Sequence, residues 1–166
     1  MELLPPRAFH KIQETVCMNQ ETLVGQCEHF NTHVSKLLNA PQTSLQEKVQ
    51  GVAHYYIDMI IENPEVATFM LSTARSTADN VPSKMKEVLA VNDSVMALQI
   101  GEEARINGKN IHPQHFIMNL VSLCVFPLLA GDMIKKYGKL AKGSYDAMME
   151  ERKALIPVWV MGMITG

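Results

Sequence analysis

The chain has 166 residues, of which 47% are hydrophobic and 19% are charged, and its formal net charge at pH 7 is −2. This length predicts a single domain, residues 1–166, that buries about two-thirds of the surface of the unfolded chain. The small net charge excludes an electrostatic basis for direct contact with nucleic acid or an anionic membrane. Three cysteines without paired spacing, and no signal-peptide sequence before them, predict a cytoplasmic protein with free thiols.

The first half of the chain predicts three helices, because strong helix formers are abundant and no stretch alternates with period two. A first helical region runs from Arg7 to Leu38. Ser44, with Glu47 three residues later, forms a capping box at the start of the second helix. Asn63-Pro64-Glu65 ends that helix and begins the third. The apolar residues of the second helix recur at helical spacing: Leu45, Val49, Val52, Tyr56, Met59 and Ile60.

The third and fourth predicted helices also have one apolar face each. The third carries Val66, Phe69, Met70 and Thr73 on that face. The fourth is predicted to be continuous from Pro82-Ser83 to about Gly108. Its inward-facing residues are predicted to be Met85, Val88, Leu89, Val95 and Met96.

The last two predicted helices have more apolar surface than one domain can cover. A helix begins at Pro113 and is apolar on nearly every side through Ala130, although it is too short to span a membrane. A short basic connector follows, and Ser144 caps a final helix that is apolar around Trp159. Because a helix that is apolar all round must be covered all round, these two helices predict an obligate dimer.

Two segments resemble the regulatory domain of TetR/AcrR-family transcriptional regulators. Residues 56–71, with Asn63-Pro64-Glu65 near their centre, resemble that family's helix–Asn-Pro-Glu–helix junction. Residues 100–116 resemble its long helix, the turn after it and the start of the next helix. His112 departs from the pattern, since the family often has an aspartate at that position.

The C-terminal third of the chain resembles the family's dimerisation helices. Residues 117–130 are similar to the first, and the helix in which Glu151-Arg152 precedes Leu155 and Trp159 is similar to the second. The family's N-terminal helix-turn-helix does not occur in this sequence. Operator DNA would therefore be bound only through a DNA-binding domain outside these residues.

The resemblance implies an all-α bundle of about six helices in which the last two form a dimeric four-helix bundle. Residues 1–40 would be the connecting and first helical region, residues 44–108 the pocket helices and residues 113–166 the dimerisation helices. The implied function is that of a repressor's effector domain, in which a small, mostly apolar ligand changes the spacing of two DNA-binding domains.

A pocket between the helices that begin at Ser44, Pro64, Ser83 and Pro113 would bind this ligand. The chain has 12 methionines, and flexible thioethers suit a pocket for irregular apolar ligands. The predicted ligand-binding residues are Tyr55, Tyr56, Met59, Phe69, Met70, Met96, Met118 and Cys124. The predicted dimer interface comprises Phe116, Leu120, Leu123, Phe126, Leu155, Trp159 and Met163.

Three alternatives remain open from the residues alone. The predicted pocket residues could fill a closed core, or the same pocket could belong to a stand-alone helical carrier or sensor that never contacts DNA. Cys27, His29 and His33 include two histidines on one helix face, which allows a metal- or redox-active bundle but lacks a clear third ligand. No catalytic motif occurs, so we expect neither an enzyme nor a bound metal or cofactor.

Overall fold

The computed structural model describes residues 6–75, 93–141 and 143–166, and the regular structure in these ranges is helical, with no strand. This confirms the predicted all-α bundle. The described helices are α1 (Pro6–Asn39), α2 (Leu45–Glu62), α3 (Pro64–Arg75), α4 (Val95–Ile106), α5 (Pro113–Leu129), α6 (Gly131–Tyr137) and α7 (Ser144–Thr165).

The predicted capping box at the start of α2 is confirmed. The Ser44 hydroxyl accepts a hydrogen bond from the backbone N–H of Glu47, and the Glu47 carboxylate accepts one from the backbone N–H of Ser44. Together these bonds satisfy two backbone donors that a helix N-terminus would otherwise leave unpaired. They also lower the pKa of the Glu47 carboxyl group, because they favour its charged form.

A buried lysine fixes the loop between α1 and α2. Lys48 is fully buried, and its ammonium donates hydrogen bonds to Ala40 O at 2.6 Å, Thr43 O at 2.7 Å and Thr43 Oγ1 at 2.8 Å. Burial lowers the pKa of this lysine. Because an unpaired buried charge is very costly, these three acceptors are what allow the ammonium to lie inside the protein.

Helix α2 lies at the centre of the bundle and contacts α1, α3, α4, α5 and α7. Four residues of its predicted apolar stripe, Leu45, Val49, Val52 and Tyr56, are buried, and Met59 is half-buried. The side chain of Ile60 lies outside the described residues. The 3.6-residue period therefore predicted the inward face of α2 correctly.

The predicted continuous helix from Pro82 to Gly108 is wrong at one position. Ser94 has extended backbone angles and its side chain caps α4, which begins only at Val95. A serine hydroxyl that accepts a backbone N–H competes with helix continuation, so the helix that contains Met96 starts after Ser94. Met96 is buried as predicted. Residues 76–92, with the predicted Met85, Val88 and Leu89, lie outside the described part of the chain.

The predicted connector between the last two long helices is partly helical, since α6 occupies its first half. Gly143 has a φ of 83°, a left-handed conformation that favours glycine, and it is the residue that caps α7. Ser144 is therefore the first helical residue rather than the cap. The Tyr145 hydroxyl donates a 2.6 Å hydrogen bond to the Pro127 carbonyl and so joins α7 to α5.

No single described helix is long and apolar enough to cross a membrane. Residues of α5 and α6 reach the required length and hydropathy only as a pair, and a bend of 57° separates them.

Candidate functional site

A cavity of about 230 Å³ lies between α1, α2, α4 and α5. The described residues of its walls are mostly aliphatic, and none of them is charged. Tyr56, Gln114 and Ser122 are the polar residues among them. The described residues that line it are Val34, Leu38, Val52, Tyr56, Met96, Gln114, Ile117, Met118, Leu120, Val121 and Ser122.

Tyr56 is the polar group at the most buried position of this lining. Its side chain is 7% exposed, and its ring packs edge-on against Phe30 with centroids 4.6 Å apart. Burial, and to a smaller extent the neighbouring Cys124, raises the pKa of the Tyr56 hydroxyl. The phenol is therefore uncharged at neutral pH and can both donate and accept a hydrogen bond.

The cavity opens to solvent beside α5, where its lining residues are the most exposed. Met118 is 56% exposed, Ser122 is exposed and Gln114 is half-buried. The cavity is thus an apolar recess with a partly polar mouth, which is the usual form of a small-molecule site.

Three of the eight predicted pocket residues, Tyr56, Met96 and Met118, line this cavity. Cys124 is fully buried close to Tyr56 but does not line the cavity. Burial raises the pKa of the Cys124 thiol to about 12. The Met70 side chain lies outside the described residues. The predicted single pocket that also includes Tyr55, Met59 and Phe69 does not form among the described residues.

Tyr55 and Met59 line a different crevice of about 520 Å³ between α1, α2 and α3. Tyr55 stacks between Phe30 and His33, at centroid distances of 5.2 Å and 4.0 Å. Consecutive residues on α2 are about 100° apart around the helix axis, so Tyr55 and Tyr56 line different spaces although both rings contact Phe30. Phe69 is half-buried and lines neither space.

The sequence prediction omitted two cavity residues from α1, Val34 and Leu38. Both are buried, and they continue a row with Cys27, Phe30 and Asn31 at helical spacing. This periodicity was a usable signal. By contrast, Gln114 and Ser122 are single polar residues in an apolar segment, and nothing in their spacing marks them as cavity residues.

An apolar groove runs along the outer side of α5 and α7, opposite the core. It encloses about 750 Å³ and is wide open to solvent. Phe126 is 62% exposed and Trp159 is 44% exposed within it. The described residues that line it are Asn119, Ser122, Leu123, Phe126, Pro127, Ile134, Met148, Arg152, Trp159, Val160 and Met163.

Arg152 is the charged residue among those described in this groove, and the sequence prediction did not include it. Its guanidinium donates a 2.8 Å hydrogen bond to the Leu123 carbonyl on α5 and lies 5.3 Å from the centre of the Trp159 ring. These contacts hold the indole and the guanidinium together and fix α7 against α5.

Four of the seven predicted interface residues line the outer groove. Leu123, Phe126, Trp159 and Met163 line the outer groove, and Leu155 is half-buried on α7. Phe116 and Leu120 are 0% and 1% exposed, so they lie in the chain's own core. Assigning these two to an interface was wrong, because a side chain without accessible surface offers nothing for a partner to cover.

The residues considered as metal ligands do not converge. Cys27 is buried, and burial raises the pKa of its thiol to about 11, whereas His29 and His33 are exposed. Within residues 6–75, 93–141 and 143–166, no group of three or more histidine, cysteine or acidic side chains could hold a metal ion.

Comparisons with known proteins give no family assignment. No protein-family model matches the chain, and neither the curated proteins nor the solved structures contain a significant match.

Proposed function

We propose that this chain is the ligand-binding and dimerisation domain of a TetR-type transcriptional repressor and senses a small, mostly apolar molecule. The observation that carries the proposal is the two-sided character of α5. Its inner residues Ile117, Leu120 and Val121 line the cavity, and its outer residues Leu123 and Phe126 line the uncovered groove.

The outer groove supports a second copy of the chain as the covering partner. Phe126 and Trp159 are large, exposed and on neighbouring helices, and Leu129 and Val158 are also exposed nearby in sequence, at 47% and 67%. Contiguous apolar surface rimmed by polar residues is typical of protein interfaces. Pairing α5 and α7 with their copies would give a four-helix arrangement with this surface at its centre.

A physical link between ligand and dimer follows from this arrangement. Ser122 lines both the cavity and the groove, so a displacement of α5 by a ligand would reach the dimer surface without an intervening element. The ligand can shift the dimer geometry only by the difference in its affinity for the two arrangements. A DNA-binding domain attached to each subunit would then convert that geometry into operator affinity.

The oligomeric state tests the proposal most directly. Light scattering over a range of concentrations should give a dimer for the unmodified chain and a monomer for Phe126→Glu, because the added carboxylate would be buried without a partner. Leu98→Glu is the matched control: Leu98 is 70% exposed on α4, outside the groove, and this variant should remain a dimer. A concentration-independent monomer for the unmodified chain would contradict the proposal.

A stand-alone small-molecule carrier is the second candidate. It is favoured by the cavity alone, since carriage needs no partner and no DNA-binding domain. The two candidates separate in the same experiment, because a carrier that binds ligand as a monomer would be unaffected by Phe126→Glu in both its mass and its ligand affinity.

A further inference from the structure

The size of the cavity beside Tyr56 limits the ligand. Its volume of about 230 Å³ is roughly one and a half times that of an engineered cavity of about 150 Å³ that binds benzene. It is also below the range of roughly 300–1,000 Å³ that is usual for drug-sized ligands. A ligand that fits without opening the bundle therefore has the bulk of one or two small rings.

The lining of the cavity limits the ligand's charge. Among the described lining residues, the polar side chains Tyr56, Gln114 and Ser122 are all uncharged, and the others are aliphatic or methionine. An ionised ligand would lose its hydration there without gaining a counter-charge, which is strongly unfavourable. The site thus selects against carboxylates and ammonium groups.

The Tyr56 hydroxyl supplies a specific polar contact. It has no hydrogen-bond partner among the described residues. Three polar side-chain atoms in the described part of the chain have no accessible surface and no hydrogen-bond partner: Asn31 Oδ1, Gln99 Oε1 and Arg152 Nε. The Tyr56 oxygen also lacks a partner but is not among these fully buried atoms. The Tyr56 oxygen therefore keeps some accessible surface, and because Tyr56 is 93% buried and lines the cavity, we infer that this surface faces the cavity.

We propose that the ligand is a small uncharged arene or aliphatic ring compound with one hydroxyl or carbonyl group that hydrogen-bonds to the Tyr56 hydroxyl. This inference rests on the proposed ligand-sensing function and specifies the chemical class of the ligand. Tyr56 orients the polar end at the bottom of the cavity, and the apolar body lies against Met96, Leu120 and Val121.

Three probes of similar ring size separate the features of this proposal: 2-naphthol, naphthalene and 2-naphthoate. Isothermal titration of the unmodified chain should give the tightest binding for 2-naphthol. Binding of 2-naphthoate should be at least about tenfold weaker, because its charge has no partner among the described residues of the cavity. Equal or tighter binding of 2-naphthoate would overturn the proposal.

The role of Tyr56 is tested with Tyr56→Phe and the neighbouring control Tyr55→Phe. Loss of one hydrogen bond should weaken 2-naphthol binding roughly three- to tenfold and leave naphthalene binding unchanged. Tyr55 lines the separate crevice, so Tyr55→Phe should leave both affinities unchanged. If Tyr56→Phe, with an unaltered melting temperature, binds 2-naphthol as tightly as the unmodified chain does, the proposed contact is wrong.

A cavity-filling variant locates the probes. Val121 is half-buried and lines the cavity but not the groove, so Val121→Phe should remove binding of both 2-naphthol and naphthalene. Unchanged binding would mean that the probes occupy another site and would overturn the inference. A dimer that binds none of the probes contradicts the ligand class alone. A monomer that shows the predicted binding pattern contradicts the regulator proposal alone.

Discussion

Helices α2 and α5 pack against each other in the core, and their sequences specify their orientations to different degrees. In α2, apolar residues recur at helical spacing between polar ones, and its buried residues Val49, Val52 and Tyr56 were predicted correctly. In α5, apolar residues occur on every side, and the sequence did not reveal which of them face inward. The contrast between the faces of a helix, rather than its apolarity, determines how well its orientation can be predicted.

The two faces of α5 provide the strongest test of this comparison. Phe116→Ala empties a fully buried position and should lower the free energy of unfolding by about 3–5 kcal/mol. This loss should be independent of protein concentration, because Phe116 lies inside one chain. Chemical denaturation followed by circular dichroism measures it.

Phe126→Ala is the matched change on the outer face, where the side chain is 62% exposed. Its effect should be seen only at concentrations at which the dimer forms, and it should fall to within about 0.5 kcal/mol of zero on dilution. A loss at Phe126 as large and as concentration-independent as that at Phe116 would mean that the two faces do not differ.

Sequence reasoning predicted the fold well and the candidate site only in part. Helix existence follows from composition, capping and proline positions, all of which act locally, and these features correctly marked most helix starts. The site depends on how neighbouring helices are rotated, which is a tertiary property. Tyr55 and Tyr56 are adjacent in sequence, aromatic and both in contact with Phe30. Only their other neighbours, His33 for Tyr55 and Cys124 for Tyr56, separate them in the folded chain.

The buried Cys124 thiol on α5 predicts that the free energy of unfolding depends on pH in the alkaline range. Burial raises the pKa of the Cys124 thiol from 9.0 in model compounds to about 12. The unfolded chain therefore releases this proton at a lower pH than the folded chain does. The stabilising contribution of the neutral thiol is complete below pH 9 and is lost as the pH rises towards 12.

The free energy of unfolding should consequently decrease over this window, with up to roughly 1.4 kcal/mol per pH unit attributable to Cys124. Denaturation at a series of pH values measures the slope, and Cys124→Ala should reduce it. If the slope of this variant equals that of the unmodified chain, Cys124 is not protected from ionisation in the folded state and the inner face of α5 is more open than the packing indicates.

The smallest expected effect concerns the helix starts, where the sequence predicted a serine cap for both α2 and α7. Ser44 makes the reciprocal bonds of a capping box, whereas Ser144 is the first helical residue after Gly143 and caps nothing. Ser44→Ala should therefore lower the free energy of unfolding by about 1 kcal/mol, and Ser144→Ala should change it little. Equal losses would mean that Ser144 caps α7, as the sequence predicted, and that the observed cap at left-handed Gly143 is wrong. A loss only at Ser44 would mean that identical residue types before two helices are distinguished by the backbone conformation of the preceding residue.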